Sequence, residues 1–308
     1  MKIALCFIIS GKHILNKEDI WREWIEPNKD IINVYFYYKE FSKIDSNWIK
    51  THSIPPNYIH ETSYYHVIPA YLSLMKFALS HDSTNQWICF LTDSCCPIIS
   101  PTKFRYLFYN YYNKSIMNWR TSWWNIDFHK RANLKKLPKE LHLANDPWFT
   151  LKREHAYQII HFINTNQEMV KTICSGGLAN ESLFAIVLHC LGANSSVIPA
   201  ITHITDWSRM TSSTSPHVFT DANERDIQFI DDELGKNKYS MFIRKVATEF
   251  PNQIIRHYIY EQNKKNDDNL VLKEPFIFMY FRFIKYFVFV QYAIPILFVV
   301  LFFTQINY

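Results

Sequence analysis

In SGGLANESLF, residues 175–184, a single carboxylate, Glu181, follows a diglycine in a chain that otherwise avoids glycine. A carboxylate so placed can take a proton from an attacking hydroxyl, the work of a general base at the mouth of a sugar site. The same stretch also reads as a loop entering a helix, with Asn180 as N-cap and Glu181 against the positive end of the helix dipole. The two readings are compatible. Cys95 and Cys96 offer a thiol nucleophile to a histidine base. Yet the six cysteines (Cys6, Cys89, Cys95, Cys96, Cys174 and Cys190) show neither CxxC pairs nor a framework spacing, and buried, reduced thiols account for them. The tyrosines of YLFYNYY, 106–112, interleave with Lys103, Arg105 and Lys114, a pattern that suits base stacking. A half-buried helix whose cations reach out to water explains it more cheaply.

The absences narrow the chemistry. Glycine occurs only at Gly11, Gly176, Gly177, Gly192 and Gly235, which excludes GxGxxG and GxxxxGK phosphate loops. If a nucleotide binds, side-chain cations must meet its phosphates. Thirteen histidines form no HExxH and no clustered Cys/His spacing, so no metal ligands are assigned. A net charge of +5 suits an anionic ligand or a membrane surface but is too small to argue for nucleic acid, and no nucleic-acid partner is expected. At 48% hydrophobic and 17% aromatic, the chain can fill a core and still line a site with rings.

These side chains need elements to hold them. IALCFII, 3–9, is a buried-strand run ending at Ser10 and Gly11. Ile20, Trp21, Trp24 and Ile25 recur at helical spacing, and INVYFYY, 32–38, is a second strand. IPPNYIHE, 54–61, gives a turn and short strand; 66–80 is a helix with Pro69 in its first turn; QWICFLT, 86–92, is the next strand. This alternation predicts an α/β domain with a largely parallel sheet, whose ligand sits beyond the carboxyl ends of the strands, at Gly11 to His13 and Asp93 to Pro97. Residues 113–150 have weak periodicity and read as a strand near SIMNW followed by long loops. Helices are expected over 152–163, from Asn180 or Glu181 to Leu191, and over 224–234, with an extended run at 195–205 and a short strand at 239–243 leading into Arg244 and Lys245.

The C-terminus has a different character. Residues 261–274 are a charged linker, and 286–304 carry no charge over a length that suffices to span a bilayer. The expectation is a domain over 1–260, a linker and juxtamembrane segment over 261–285, and a transmembrane helix over 286–304. Lys273, Arg282 and Lys285 lie before that segment, which by the positive-inside rule leaves the large domain in the cytoplasm as a single-pass, C-terminally anchored membrane protein.

The order of blocks along the chain resembles the core-2/I-branching glycosyltransferase family, which includes branching N-acetylglucosaminyltransferases and peptide O-xylosyltransferases. IALCFIISGKH resembles the family's first strand and loop, and NQWICFLTDSCCPIIS its Ser-Glu-Ser-Cys-Ile-Pro-Leu strand end. DPWFTLKREHA is similar to Ser-Gln-Trp-Phe-x-Leu-x-Arg-x-x-Ala, and ANESLF sits where the family has Pro-Asp-Glu. THITDWSRMTSSTSPHVF is similar to Val-Asp-Trp-Ser-x-Gly-x-Pro-His-Pro, and FIRKV to Phe-Ala-Arg-Lys-Phe.

The resemblance implies a GT-A type nucleotide-sugar transferase fold and metal-independent, inverting transfer of N-acetylglucosamine or xylose from a UDP-sugar to a glycan or protein hydroxyl. It makes Glu181 the base, although Ala179 and Asn180 replace the family's proline and aspartate. It puts Lys245 on the donor diphosphate, with Arg225 as the loose match for a second cation and Arg244 and Arg209 behind it. No Asp-x-Asp metal motif is present, so fixed cations would have to stabilise the leaving group. Ser10, Gly11, Asp93, Gly176 and Gly177 are then donor or acceptor contacts. Trp148, Phe149 and Trp207 are candidate sugar platforms, and Asp206 contacts substrate or holds a loop by hydrogen bonds. The changes at 179 and 180 also leave open a catalytically degenerate, membrane-tethered nucleotide- or sugar-binding or interaction protein of the same fold.

Overall fold

The computed structural model of the chain describes residues 1–262 except 213. In chain order the strands are β1 (Lys2–Ile8), β2 (Ile32–Tyr37), β3 (Asn85–Thr92), β4 (Cys96–Pro97), β5 (Ser115–Ile116), β6 (Trp119–Thr121), β7 (Leu143–Asn145), β8 (Thr150–Lys152), β9 (Val197–Ile198), β10 (His203–Thr205) and β11 (Phe242–Arg244). A six-stranded sheet runs β2-β1-β3-β8-β5-β9, a three-stranded sheet β10-β11-β4, and β6 pairs with β7.

β1 pairs in parallel with both β2 and β3, and the helices Glu18–Ile25 and Ile68–His81 cross between them. Side chains alternate across the sheet with the period of two that a strand imposes. Ile3, Leu5 and Phe7 enter one core with Trp21, Trp24 and Phe242. Ala4 and Cys6 enter the other with Tyr71, Phe90, Phe149 and Phe184. Each buried Ile, Leu or Phe side chain among these contributes on the order of 1.5–3 kcal/mol. The indole N–H groups of Trp21 and Trp24 donate to the carbonyls of Cys95 and Ile99, at 3.0 and 2.8 Å, and so fix the chain just past β3.

Several expectations need correction. The six-stranded sheet is largely parallel, and the one exception the sequence did not show is β8, which runs antiparallel to β3 and to β5. Residues 54–61 hold a 3-10 turn, Pro56–Tyr58, in place of a strand, because proline there withdraws a ladder donor. The helix expected from Asn180 begins at Leu183, after a 3-10 turn at Ala179–Glu181. Its capping acceptor is not Asn180 but Asn145 of β7, whose Oδ1 accepts from the Ala185 N–H at 3.2 Å while its Nδ2 donates to the Asn180 carbonyl at 2.9 Å.

The transmembrane expectation is also withdrawn. Among the described residues no helix is long and apolar enough to cross a membrane, and 286–304 lie outside the described residues. Apolar length in a sequence is not by itself a spanning helix, so the membrane partnership, the C-terminal anchor and the cytoplasmic placement derived from it go with it.

Candidate active site

The short strands and turns that surround β8 enclose a cavity of about 460 Å³. Glu181 and Leu178 enter it from the 3-10 turn, Asn118 and Arg120 from beside and within β6, Asp146 and Trp148 from the segment before β8, and His203 and Arg244 from the adjacent strands β10 and β11. The Tyr71 hydroxyl donates to the Pro147 carbonyl at 2.7 Å and Thr202 Oγ1 to the Trp148 carbonyl at 3.1 Å, which pins the Asp146–Trp148 wall at two points.

Glu181 is mostly buried, and its Oε2 lies 3.2 Å from Nη1 of Arg131. Burial raises its carboxyl above the ordinary glutamate value; Arg131 opposes this, Asp146 adds to it and Arg244 opposes it. Asp146 is raised by its own burial, against a 2.8 Å hydrogen bond from Asn118 and the charges of Arg120 and Arg244. Two carboxyls of raised pKa and three guanidinium groups therefore share one cavity.

Arg131 is placed by the diglycine. A Cβ at Gly176 would lie 2.4 Å from both Asn133 N and Lys130 O, so the 130–133 backbone packs directly on this glycine. The Ala132 N–H donates to the Gly177 carbonyl at 3.0 Å. Arg131 also stands over the Trp124 ring at 5.3 Å.

Arg244 is 7% exposed, and its Nε has no hydrogen-bond partner among the described residues. Its guanidinium lies 4.1 Å over the ring of Trp148, and no carboxylate pairs with it among the described residues. Burial lowers its pKa, against the charge of Asp93 and other neighbours, but a guanidinium keeps its proton. A buried cation with no carboxylate at salt-bridge distance is costly to fold and is poised to receive an anion.

Beside it lies the group at the strand ends. Asp93 Oδ2 accepts from the Ser10 N–H at 3.0 Å, and the Val246 N–H donates to the Ser94 carbonyl at 2.8 Å. Those contacts bring Ser10, Gly11 and Asp93 next to the Arg244–Lys245 pair. Burial, with Arg244, lowers the Lys245 pKa, and Asp93 opposes the shift. Lys245 Nζ donates to Ser215 Oγ at 3.1 Å.

The sequence model of the Core-2/I-Branching enzyme family matches residues 34–231, well over half of the chain. The chain belongs to the core-2/I-branching enzyme family. It is therefore a glycosyltransferase. No curated protein sequence matches it.

Within this branching-enzyme domain the structure gathers Glu181, Trp148, Trp207 and Arg244 into one cavity and holds Ser10, Gly11, Asp93 and Lys245 beside the Arg244 strand. It does not bring in the others. Arg225 is exposed near the start of the helix Glu224–Lys236 and does not line the cavity. Arg209 is committed to buried Asp206 and Asp226. Asp206 holds the 206–209 turn through Ser208 and Arg209 rather than facing the cavity. At Gly176 the room a side chain would need is filled by the 130–133 backbone, whereas a Cβ at Gly177 would meet only the Tyr65 side chain, at 3.6 Å, and neither glycine lines the cavity. Phe149 is 0% exposed among Tyr71, Phe90 and Phe184 and is core. Cys95 and Cys96 are fully buried with raised thiol pKa values, unsuited to attack; Cys190, by contrast, is exposed.

Sequence reasoning missed Arg131, Asp146, Asn118 and His203. Asp146 had a signal, standing just ahead of the Trp-Phe block. Arg131 had none beyond its charge, because its link to Glu181 spans 50 residues. Among the described residues, no group of three or more His, Cys, Asp or Glu side chains is gathered to hold a metal ion.

Proposed function

We propose that the domain over 1–260 is an inverting glycosyltransferase that moves a sugar from a UDP-sugar to an acceptor hydroxyl without a metal ion, with N-acetylglucosamine or xylose as the transferred group. The observation that carries this reading is the pairing of opposites in one cavity: a buried carboxylate at Glu181 and a buried guanidinium at Arg244 that has no carboxylate of its own. In the reaction the acceptor oxygen forms its bond to the anomeric carbon from the face opposite the diphosphate and passes its proton to Glu181. The bond from that carbon to the diphosphate oxygen breaks, and its electron pair leaves with the UDP. Negative charge grows on the diphosphate, and Arg244 and Lys245 are the fixed cations for it. Arg131 orients the carboxylate, and Trp207, half exposed at the rim, offers a ring face to an acceptor sugar.

The test is transfer or donor hydrolysis by the full chain with UDP-N-acetylglucosamine and UDP-xylose. Glu181→Gln is expected to lower kcat by about 10²–10⁴-fold, the usual range for loss of a general base, with UDP affinity unchanged. A variant that keeps its rate removes Glu181 from the base role.

A further inference from the structure

His203 has a side chain to which the reaction above gives no task. It is 5% exposed, lies on β10 and lines the cavity. Its Nδ1 is 2.9 Å from Thr202 Oγ1, and that hydroxyl has only one proton, which it donates to the Trp148 carbonyl at 3.1 Å. Thr202 must therefore accept from His203, so Nδ1 carries the imidazole proton and Nε2 carries a lone pair. Burial, with Arg244 nearby, keeps the ring neutral. Nε2 is buried and has no hydrogen-bond partner among the described residues. An acceptor left in this state costs roughly 1–3 kcal/mol, a debt that a bound donor group removes.

The surroundings restrict that donor group. The His203 ring lies 6.1 Å from Trp148, whose face holds Arg244 at 4.1 Å. β10 and β11 pair in register, Thr205 opposite Arg244 and His203 opposite Phe242. A cation would be repelled by Arg244. A neutral O–H beside an anionic oxygen meets both groups at once, and that is what the hydroxyl-bearing sugar of a nucleoside diphosphate sugar presents next to its phosphates. We propose that His203 is a specificity-determining residue whose Nε2 accepts a hydrogen bond from a ring hydroxyl of the sugar being transferred. The inference rests on the reading of the cavity as a donor-sugar site.

Equilibrium binding tests it without turnover. UDP and UDP-xylose are titrated calorimetrically into the wild-type chain, His203→Phe and His203→Gln. Affinity for UDP should be the same in all three, while UDP-xylose should bind about tenfold more weakly to His203→Phe, the size of one lost hydrogen bond, and recover in part in His203→Gln. Equal losses for UDP and UDP-xylose, or no loss for either, overturn the proposal. A second readout needs no variant to fold. In wild-type protein labelled with ¹⁵N at histidine, the Nε2 resonance of His203 should move to lower frequency on saturation with UDP-xylose and stay in place with UDP. A resonance that UDP-xylose leaves unmoved overturns the proposal. If Glu181→Gln keeps full transfer activity while the His203 effects appear, the base assignment fails and this one stands; the reverse pattern fails this one alone.

Discussion

A glutamate paired with arginine is a weak base, and a glutamate in an apolar wall is a strong one. Glu181 is under both influences. Burial raises its pKa and the Arg131 guanidinium at 3.2 Å draws it back, leaving a net rise. The carboxylate must be ionised to accept the acceptor's proton, so the transfer rate should fall as pH drops through this raised value. Arg131→Met removes the charge that holds the pKa down. The acid limb of the kcat profile should therefore move to higher pH, with kcat at the plateau reduced because the carboxylate is no longer oriented. A limb that stays in place or moves to lower pH would show that Arg131 does not act on the base.

At the scale of elements, the site is assembled by loops that lean on one another. Asn145 caps the helix Leu183–Cys190 and holds the Glu181 turn through the Asn180 carbonyl. Asn145→Ala should cost about 1–2 kcal/mol in chemical denaturation and lower kcat together with it. The two outlying glycines make a sharper contrast. At Gly176 a methyl group would strike backbone atoms at 2.4 Å, so Gly176→Ala should destabilise by about 1–3 kcal/mol and shift Arg131. Gly235 sits in the helix Glu224–Lys236 with nothing within 4 Å of a Cβ, and Gly235→Ala should stabilise by about 0.5–1 kcal/mol with activity unchanged.

The same elements show what could be read without coordinates. β1, β2, β3 and the helices between them were legible because each is one unbroken apolar or periodic run. Of residues 113–150 only the strand near SIMNW was legible, as β5; β6 and β7 are three residues long and gain their order from partners such as Asn145 opposite Trp119. Glu181 stood out because a diglycine marked it. The packing that requires Gly176 was not legible, because the atoms that meet it belong to a loop more than forty residues away.

At the scale of the whole molecule, one sheet with a core on each face fixes two strand ends, β1 and β3, and a second sheet supplies β10 and β11. The group at Ser10 and Asp93 comes from the first, and the His203 and Arg244 walls from the second. The 243–246 segment joins them, with Val246 N–H on the Ser94 carbonyl and Asn16 Nδ2 on the Val246 carbonyl at 2.7 Å. In this layout Glu181 and Arg244 share one cavity and Lys245 follows Arg244 at the end of β11, the arrangement on which the proposed diphosphate site rests.

The measurement that tests this most directly is a calorimetric titration of UDP into the full chain, with and without EDTA, for wild type, Lys245→Ala and Glu181→Gln. The account predicts binding that the chelator does not alter, that Glu181→Gln leaves in place, and that Lys245→Ala weakens by about tenfold or more, as loss of a charge-assisted contact should. Binding abolished by EDTA, or a Lys245→Ala variant that binds UDP as tightly as wild type, would contradict it.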